Sequence, residues 1–138
     1  MNAEELTKQL FRDEGLRLKP YRDSLQVLTI GVGRNLDDRG ITEAEAKFLL
    51  MNDIAIVEKE LNALPIYRKM DDVRQTVLAN LSFNIGVPRL LKFRKLWMAL
   101  DAGDYHKAAD EMLDSTWAQQ VGLRAVRLSG MMRTGEYT

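Results

Sequence analysis

Two carboxylates and a hydroxyl that can cooperate in one reaction stand close together in this chain. They are Glu14, Asp23 and Thr29, within the stretch DEGLRLKPYRDSLQVLTIGVGR from Asp13 to Arg34. Eight residues separate the first two and five separate the last two. Two such groups around one hollow are the minimum equipment for hydrolysing a glycosidic bond. One carboxyl protonates the leaving oxygen, and the other side assists a water or steadies positive charge on the sugar. Taken singly, each residue has a plainer role. A glutamate at a helix end is ordinarily solvated, an aspartate before a serine forms turns, and a threonine suits a strand. The signal lies in their order and spacing. It lies also in Gly31 and Gly33, which follow directly and let the backbone turn tightly and a ligand approach closely.

The elements that must hold these groups can be read from the pattern around them. Leu6, Leu10 and Phe11 recur at helical spacing over residues 3–13, and Gly15 supplies a stop. Val27, Leu28, Thr29, Ile30 and Val32 favour strand, with Pro20 and Asp23-Ser24 as turn signals, so residues 16–33 predict a hairpin or a three-stranded sheet. Asn35–Gly40 reads as a polar loop. Thr42-Glu43-Ala44-Glu45 is a capping box, in which the threonine hydroxyl accepts the amide of residue 45 and the glutamate reaches back. Ala46, Leu50, Ile54, Val57 and Leu61 then give one apolar helical face running to about Leu64, stopped by Pro65. Asp72 is expected to cap a helix reaching Ile85, broken by Gly86 and Pro88. Further helices are expected over 89–100, 104–113, 115–120 and 123–131. The fold class is α+β, dominated by helices.

Composition bounds the function. The chain has 138 residues, enough for one domain or two small lobes sharing an element. Lys plus Arg and Asp plus Glu number 20 each, so net charge gives no argument for nucleic acid, and no recognition-helix cluster stands out. There is no cysteine and one histidine, His106, expected on an exposed helix face. Disulfides and thiolate metal sites are excluded, and neither a metal nor a cofactor is expected. No apolar run approaches the roughly 20 residues that span a bilayer. The opening MNAEELTKQLFRDEG is polar and acidic and is not a secretory leader, so the protein is expected in the cytoplasm at first.

The motifs DEGLRLK at Asp13–Lys19, Y-x-D at Tyr21–Asp23 and TIGVG at Thr29–Gly33 resemble those of the T-even-phage-type lysozymes, endolysins of glycoside hydrolase family 24. The resemblance continues in order along nearly the whole chain. Ile41-Thr42 leading into Glu45-Ala46 is similar to the start of that family's inter-lobe helix, and Phe83-Asn84-Ile85-Gly86 to its central C-lobe motif. Trp117, Gln120, Arg124, Arg127 and Arg133-Thr134-Gly135 are similar to its C-terminal signature. It implies a lysozyme-like single domain over 1–138. Residues 1–41 and part of 42–64 would form a small β lobe, 42–64 an inter-lobe helix and 65–138 a helical lobe, with the cleft between lobes. The implied activity is hydrolysis of the β-1,4 bond between N-acetylmuramic acid and N-acetylglucosamine in peptidoglycan, with inversion. Inversion requires carboxyls roughly 6.5–9.5 Å apart.

Carried over residue by residue, Glu14 is the general acid, Asp23 positions water or stabilises the oxocarbenium-like state, and Thr29 lies on the face where water attacks. Phe83 and Asn84 are expected to line the substrate cleft. Arg124 is expected to orient Glu14 rather than raise its acidity, because a guanidinium favours the ionised carboxylate. Trp97 and Trp117 read as core. The basic run Arg89–Lys95 reads as a solvated helix face, with anionic wall polymers as the alternative. The family also implies a monomer that awaits a membrane-permeabilising holin in the host cytoplasm. Two departures stand out. Arg34 replaces the family's histidine after Gly33 and is expected to pair with Asp37, Asp38 or a C-lobe carboxylate, without titrating. The turn after Asp23 has Leu25-Gln26 where a glycine is common. The short Gly33–Thr42 interval also implies a pared-down lobe and a more open cleft. The competing readings are a lytic transglycosylase, which needs no positioned water, and a non-catalytic peptidoglycan-binding module.

Overall fold

A computed structural model describes all residues, Met1–Thr138. The chain divides into two compact units, Met1–Leu49 and Leu50–Thr138.

In the first unit, helix α1 spans Ala3–Glu14. Asn2 caps it, its side chain accepting the Glu5 amide at 3.1 Å, and Glu4 and Glu5 in the first turn suit the helix dipole. Gly15, at φ 76°, ends it by returning its N–H to the Phe11 carbonyl, so Glu14 is the last helical residue. The sheet is three-stranded and antiparallel in the order β1 (Arg17–Arg22), β2 (Leu28–Gly31), β3 (Arg34–Asn35). Tyr21 pairs with Thr29, Thr29 with Asn35 and Ile30 with Arg34. The β1 register is irregular between Arg17 and Tyr21, the stretch that holds Pro20. Proline lacks the ladder donor and is tolerated at such irregularities. Asn35, assigned to the polar loop by its composition, instead closes the sheet.

Helix α2 (Glu43–Asn62) starts in the first unit and crosses the division. Its capping box forms as written: the Glu45 amide donates to Thr42 Oγ1 at 3.1 Å and the Thr42 amide to Glu45 Oε1 at 3.0 Å. It ends two residues before the expected Leu64. Pro65 does not merely stop it but opens an extra turn, α3 (Pro65–Arg68), at a position where its missing N–H costs nothing.

The rest of the second unit is helical. Helix α4 (Asp72–Ile85) is capped by Asp71 rather than Asp72, the Asp71 carboxylate accepting the Arg74 amide at 3.2 Å. The expected helix 89–100 is two pieces, α5 (Val87–Leu90) and α6 (Arg94–Asp101). Pro88 sits in the first turn of α5, so it starts a helix instead of preceding one. The carbonyl of Leu90 accepts both the Phe93 amide at 3.1 Å and the Trp97 indole N–H at 2.8 Å, which ties the two pieces together across the break. Helices α7 (Tyr105–Leu113), α8 (Thr116–Val121) and α9 (Leu123–Thr134) follow. Asp104 and Ser115 cap α7 and α8.

Helix α9 packs on α4, α7 and α8, and α6 packs on α7. The core of this unit includes Leu61, Leu78, Leu81, Leu90, Leu96, Met112, Leu128 and Met132, all fully buried. Trp117 is buried there and Trp97 is half-buried against it. In the first unit the buried residue is Thr29. No helix is long and apolar enough to cross a membrane, and no group of three His, Cys, Asp or Glu side chains is arranged to hold a metal ion.

Candidate active site

The three residues of the sequence motif all lie in the first unit, on three different pieces of chain. Glu14 is the exposed C-terminal residue of α1. Gly33, in the turn between β2 and β3, faces its carboxyl group. A methyl at position 33 would lie 3.0 Å from Glu14 Oε2 and 3.1 Å from its Cδ. Gly33 also has φ 67°, a left-handed conformation that side chains resist. Space and backbone therefore both call for glycine there.

Asp23 follows β1 and holds the turn into β2. Its Oδ1 accepts two amides, Leu25 at 2.8 Å and Val27 at 2.9 Å, and its own amide donates to the Val27 carbonyl at 3.0 Å. Both side-chain bonds use one oxygen, and Oδ2 makes no hydrogen bond within the protein. The turn places Gln26 at φ 64°, the left-handed position for which the sequence lacks the glycine. Thr29 is 4% exposed, and its hydroxyl donates to the same Val27 carbonyl at 2.8 Å. Val27, read only as a strand residue, is thus the backbone node joining Asp23 to Thr29.

Arg34 continues directly from Gly33. Its guanidinium forks onto the Glu45 carboxylate, Nη1 to Oε1 at 2.9 Å and Nη2 to Oε2 at 2.8 Å, and Nη1 also donates to the Gly40 carbonyl at 3.1 Å. The expected partners are corrected here. Asp37 Oδ2 accepts the Leu28 amide at 2.9 Å, and Asp38 is tied to Asn35. The Arg34 bond, followed by the Thr42 bonds, holds the Glu45 carboxyl down to about 2.

The second unit carries Phe83, Asn84 and Arg124. Phe83 is half-exposed on α4 and, with Leu50, Ile54, Val57, Asn80 and Arg124, lines a hollow of about 580 Å³. Arg124 is fixed by Asn80, donating through Nε at 3.0 Å and Nη2 at 2.6 Å to the amide oxygen. Its Nη2 also lies 3.3 Å from the Asn80 carbonyl. Asn84 is not among the lining residues; its Oδ1 accepts the Trp117 indole N–H at 2.8 Å, which leaves its NH₂ group free. Asn80 was not singled out by sequence, although it stands one helical turn before Asn84.

Comparisons with known proteins point the same way. The chain is 30% identical, over 94% of its length, to the pre-baseplate central spike protein Gp5 of Enterobacteria phage T4, of which it spans 28%. It is 28% identical to probable T4-type lysozyme 1 of Dictyostelium discoideum, over 89% of this chain and 90% of that one. Over 79% of its length it is 34% identical to the SAR-endolysin of Escherichia phage Mu, of which 65% is covered. The first two alignments run over 159 and 153 positions, more than the 138 residues here, so those relatives carry insertions that this chain lacks. Residues 12–134 match the family described as Phage lysozyme, a span that takes in Glu14, Asp23, Thr29, Phe83, Asn84 and Arg124. With a mostly helical fold and one small three-stranded sheet at its N-terminal side, the chain belongs to the phage lysozyme family and is a lysozyme-type enzyme.

Proposed function

We propose that this lysozyme hydrolyses the β-1,4 bond between N-acetylmuramic acid and N-acetylglucosamine in peptidoglycan, by an inverting acid/base route. Glu14 protonates the glycosidic oxygen. Asp23, through its free Oδ2, positions the attacking water or stabilises the oxocarbenium-like state. The Thr29 hydroxyl, anchored on Val27, lies on the water side. Phe83, Asn84 and Arg124, on the second unit, are proposed as substrate contacts, through an aromatic ring, a free amide NH₂ and the uncommitted Nη1 of the guanidinium. Both units would serve one lysozyme domain. The observation that carries this reading is Gly33 set against the Glu14 carboxyl, because it leaves that group open to a ligand.

In this reading the enzyme acts as a monomer and lyses the host from within, reaching the wall after a holin permeabilises the membrane. Clearing of a peptidoglycan suspension by wild type beside Glu14→Gln tests the central assignment, and equal rates would overturn it. Product analysis tests the reaction. A reducing muramic end formed first as the α-anomer is expected, whereas an anhydro-muramic end would make the enzyme a transglycosylase.

A further inference from the structure

We propose that Arg89–Met98, in the second unit, is a docking surface for an anionic phospholipid bilayer. The segment reads RLLKFRKLWM and lies in a run, Val73–Leu100, that contains no acidic residue, although the chain as a whole has 20 basic and 20 acidic residues. Arg89, Lys92, Arg94 and Lys95 are all exposed, and none takes part in an ion pair.

The other exposed helices behave differently. On α1, Lys8 bridges Glu4 and Glu5, and on α2, Lys47 bridges Glu43. A merely solvated face mixes its charges in that way. Arg94 and Lys95 moreover occupy the first turn of α6, which has no side-chain cap. Cations there oppose the helix dipole, so the stability of α6 does not account for them. Glu111 and Asp114 share a shallow depression with Arg94 and Lys95, and they reduce the patch without cancelling it.

The neighbouring apolar side chains select the partner. Leu91 is 45% and Met98 70% exposed, set among the cations. A soluble polyanion rewards only the charges, whereas a lipid surface rewards charges and apolar side chains together. The patch is rigidly presented, because Leu90 is fully buried and its carbonyl holds the Trp97 indole.

Co-sedimentation of the 138-residue protein with phosphatidylglycerol/phosphatidylcholine vesicles tests this. Binding is expected to mixed vesicles, not to phosphatidylcholine alone, and to fall as salt rises. Each cation removed from the set Arg89→Gln, Lys92→Gln, Arg94→Gln and Lys95→Gln should weaken partition roughly fivefold. The pair Leu91→Ser and Met98→Ser should weaken it at unchanged charge. Circular dichroism and melting temperature verify folding of each variant; should the quadruple variant fail to fold, the salt dependence of the wild type decides. Glu14→Gln should bind vesicles as wild type does, so this inference stands or falls apart from the catalytic one. Undiminished binding by the folded quadruple variant would overturn it. So would equal binding to neutral vesicles. Indifference to the Leu91 and Met98 changes, with polyphosphate displacing the protein completely, would assign the patch to a soluble polyanion instead.

Discussion

Asp23 has two duties that substitution can separate. One carboxylate oxygen ties down the Leu25 and Val27 amides, and the other, in the proposed mechanism, acts on water or the sugar cation. Asparagine can accept the same two amides, and alanine cannot. Asp23→Asn and Asp23→Ala should both lose lytic activity, but thermal melts should show only the alanine variant destabilised, by about 1–3 kcal/mol. Gly33→Ala should act through Glu14. The added methyl meets the flexible end of the Glu14 side chain, which must swing aside, and the left-handed backbone costs a further ~1–2 kcal/mol. A lysis rate falling much more than the melting temperature is the expected signature. The sequence announced Asp23 as a turn former and Gly33 as a point of close approach. It did not announce Gln26 as left-handed, because the usual marker, a glycine, is missing and Asp23 imposes the conformation instead.

At the scale of elements, Arg34 and Glu45 buckle β3 to the start of α2. The carboxyl of Glu45 is lowered from 4.5 to about 2 in the folded protein, first by the Arg34 hydrogen bond. A lowered carboxylate contributes stability that is fully present above its unfolded value and is lost as pH falls through its folded value. The contribution should therefore fade between about 4.5 and 2 and be constant at neutral pH. Arginine does not titrate, so no loss should appear near pH 6–7, where a histidine in its place would change charge. Melting curves of wild type and Glu45→Gln from pH 7 to 2 check this: the gap between them should close only in acid. This buckle was half legible. Glu45 was visible as the closing residue of a capping box, which gave it an assigned job and hid its second. Asp37 and Asp38 looked nearer in sequence, but backbone and Asn35 contacts occupy them. The break at Leu91–Phe93 was hidden for a related reason, since apolar spacing continues through it and the bonds that hold it, from the Phe93 amide and the Trp97 indole to the Leu90 carbonyl, leave no mark in the sequence.

At the scale of the whole chain, the buried core belongs to the second unit. Sheet amides of Arg17–Asn35 should exchange with solvent well before those of α4, α7 and α9, as hydrogen-exchange mass spectrometry would show. Leu78→Ala should cost about 2–5 kcal/mol and speed exchange in those helices. The core was legible because helical periodicity marks it, and Leu78, Leu81 and Trp117 fall where spacing put them. A division somewhere within 42–64 was expected from the resemblance, but its point after Leu49 was not legible, because no composition shift accompanies it.

Arg74 ties the second unit together. It donates to the Met132 carbonyl at 2.7 Å and the Arg133 carbonyl at 3.1 Å, bridges Asp71, and lies 3.8 Å over the Tyr105 ring. Gly135 terminates α9 at φ 74°, and a methyl there would come within 2.9 Å of the pinned guanidinium. The Arg133-Thr134-Gly135 signature therefore has a structural duty, ending α9 beside Arg74. In a genetic screen for lysis Gly135→Ala should read as a loss of function at raised temperature, through stability alone, with the proposed reacting groups of the first unit unchanged. Growth at low temperature should bring such a mutant back, and it should never bring back Glu14→Gln.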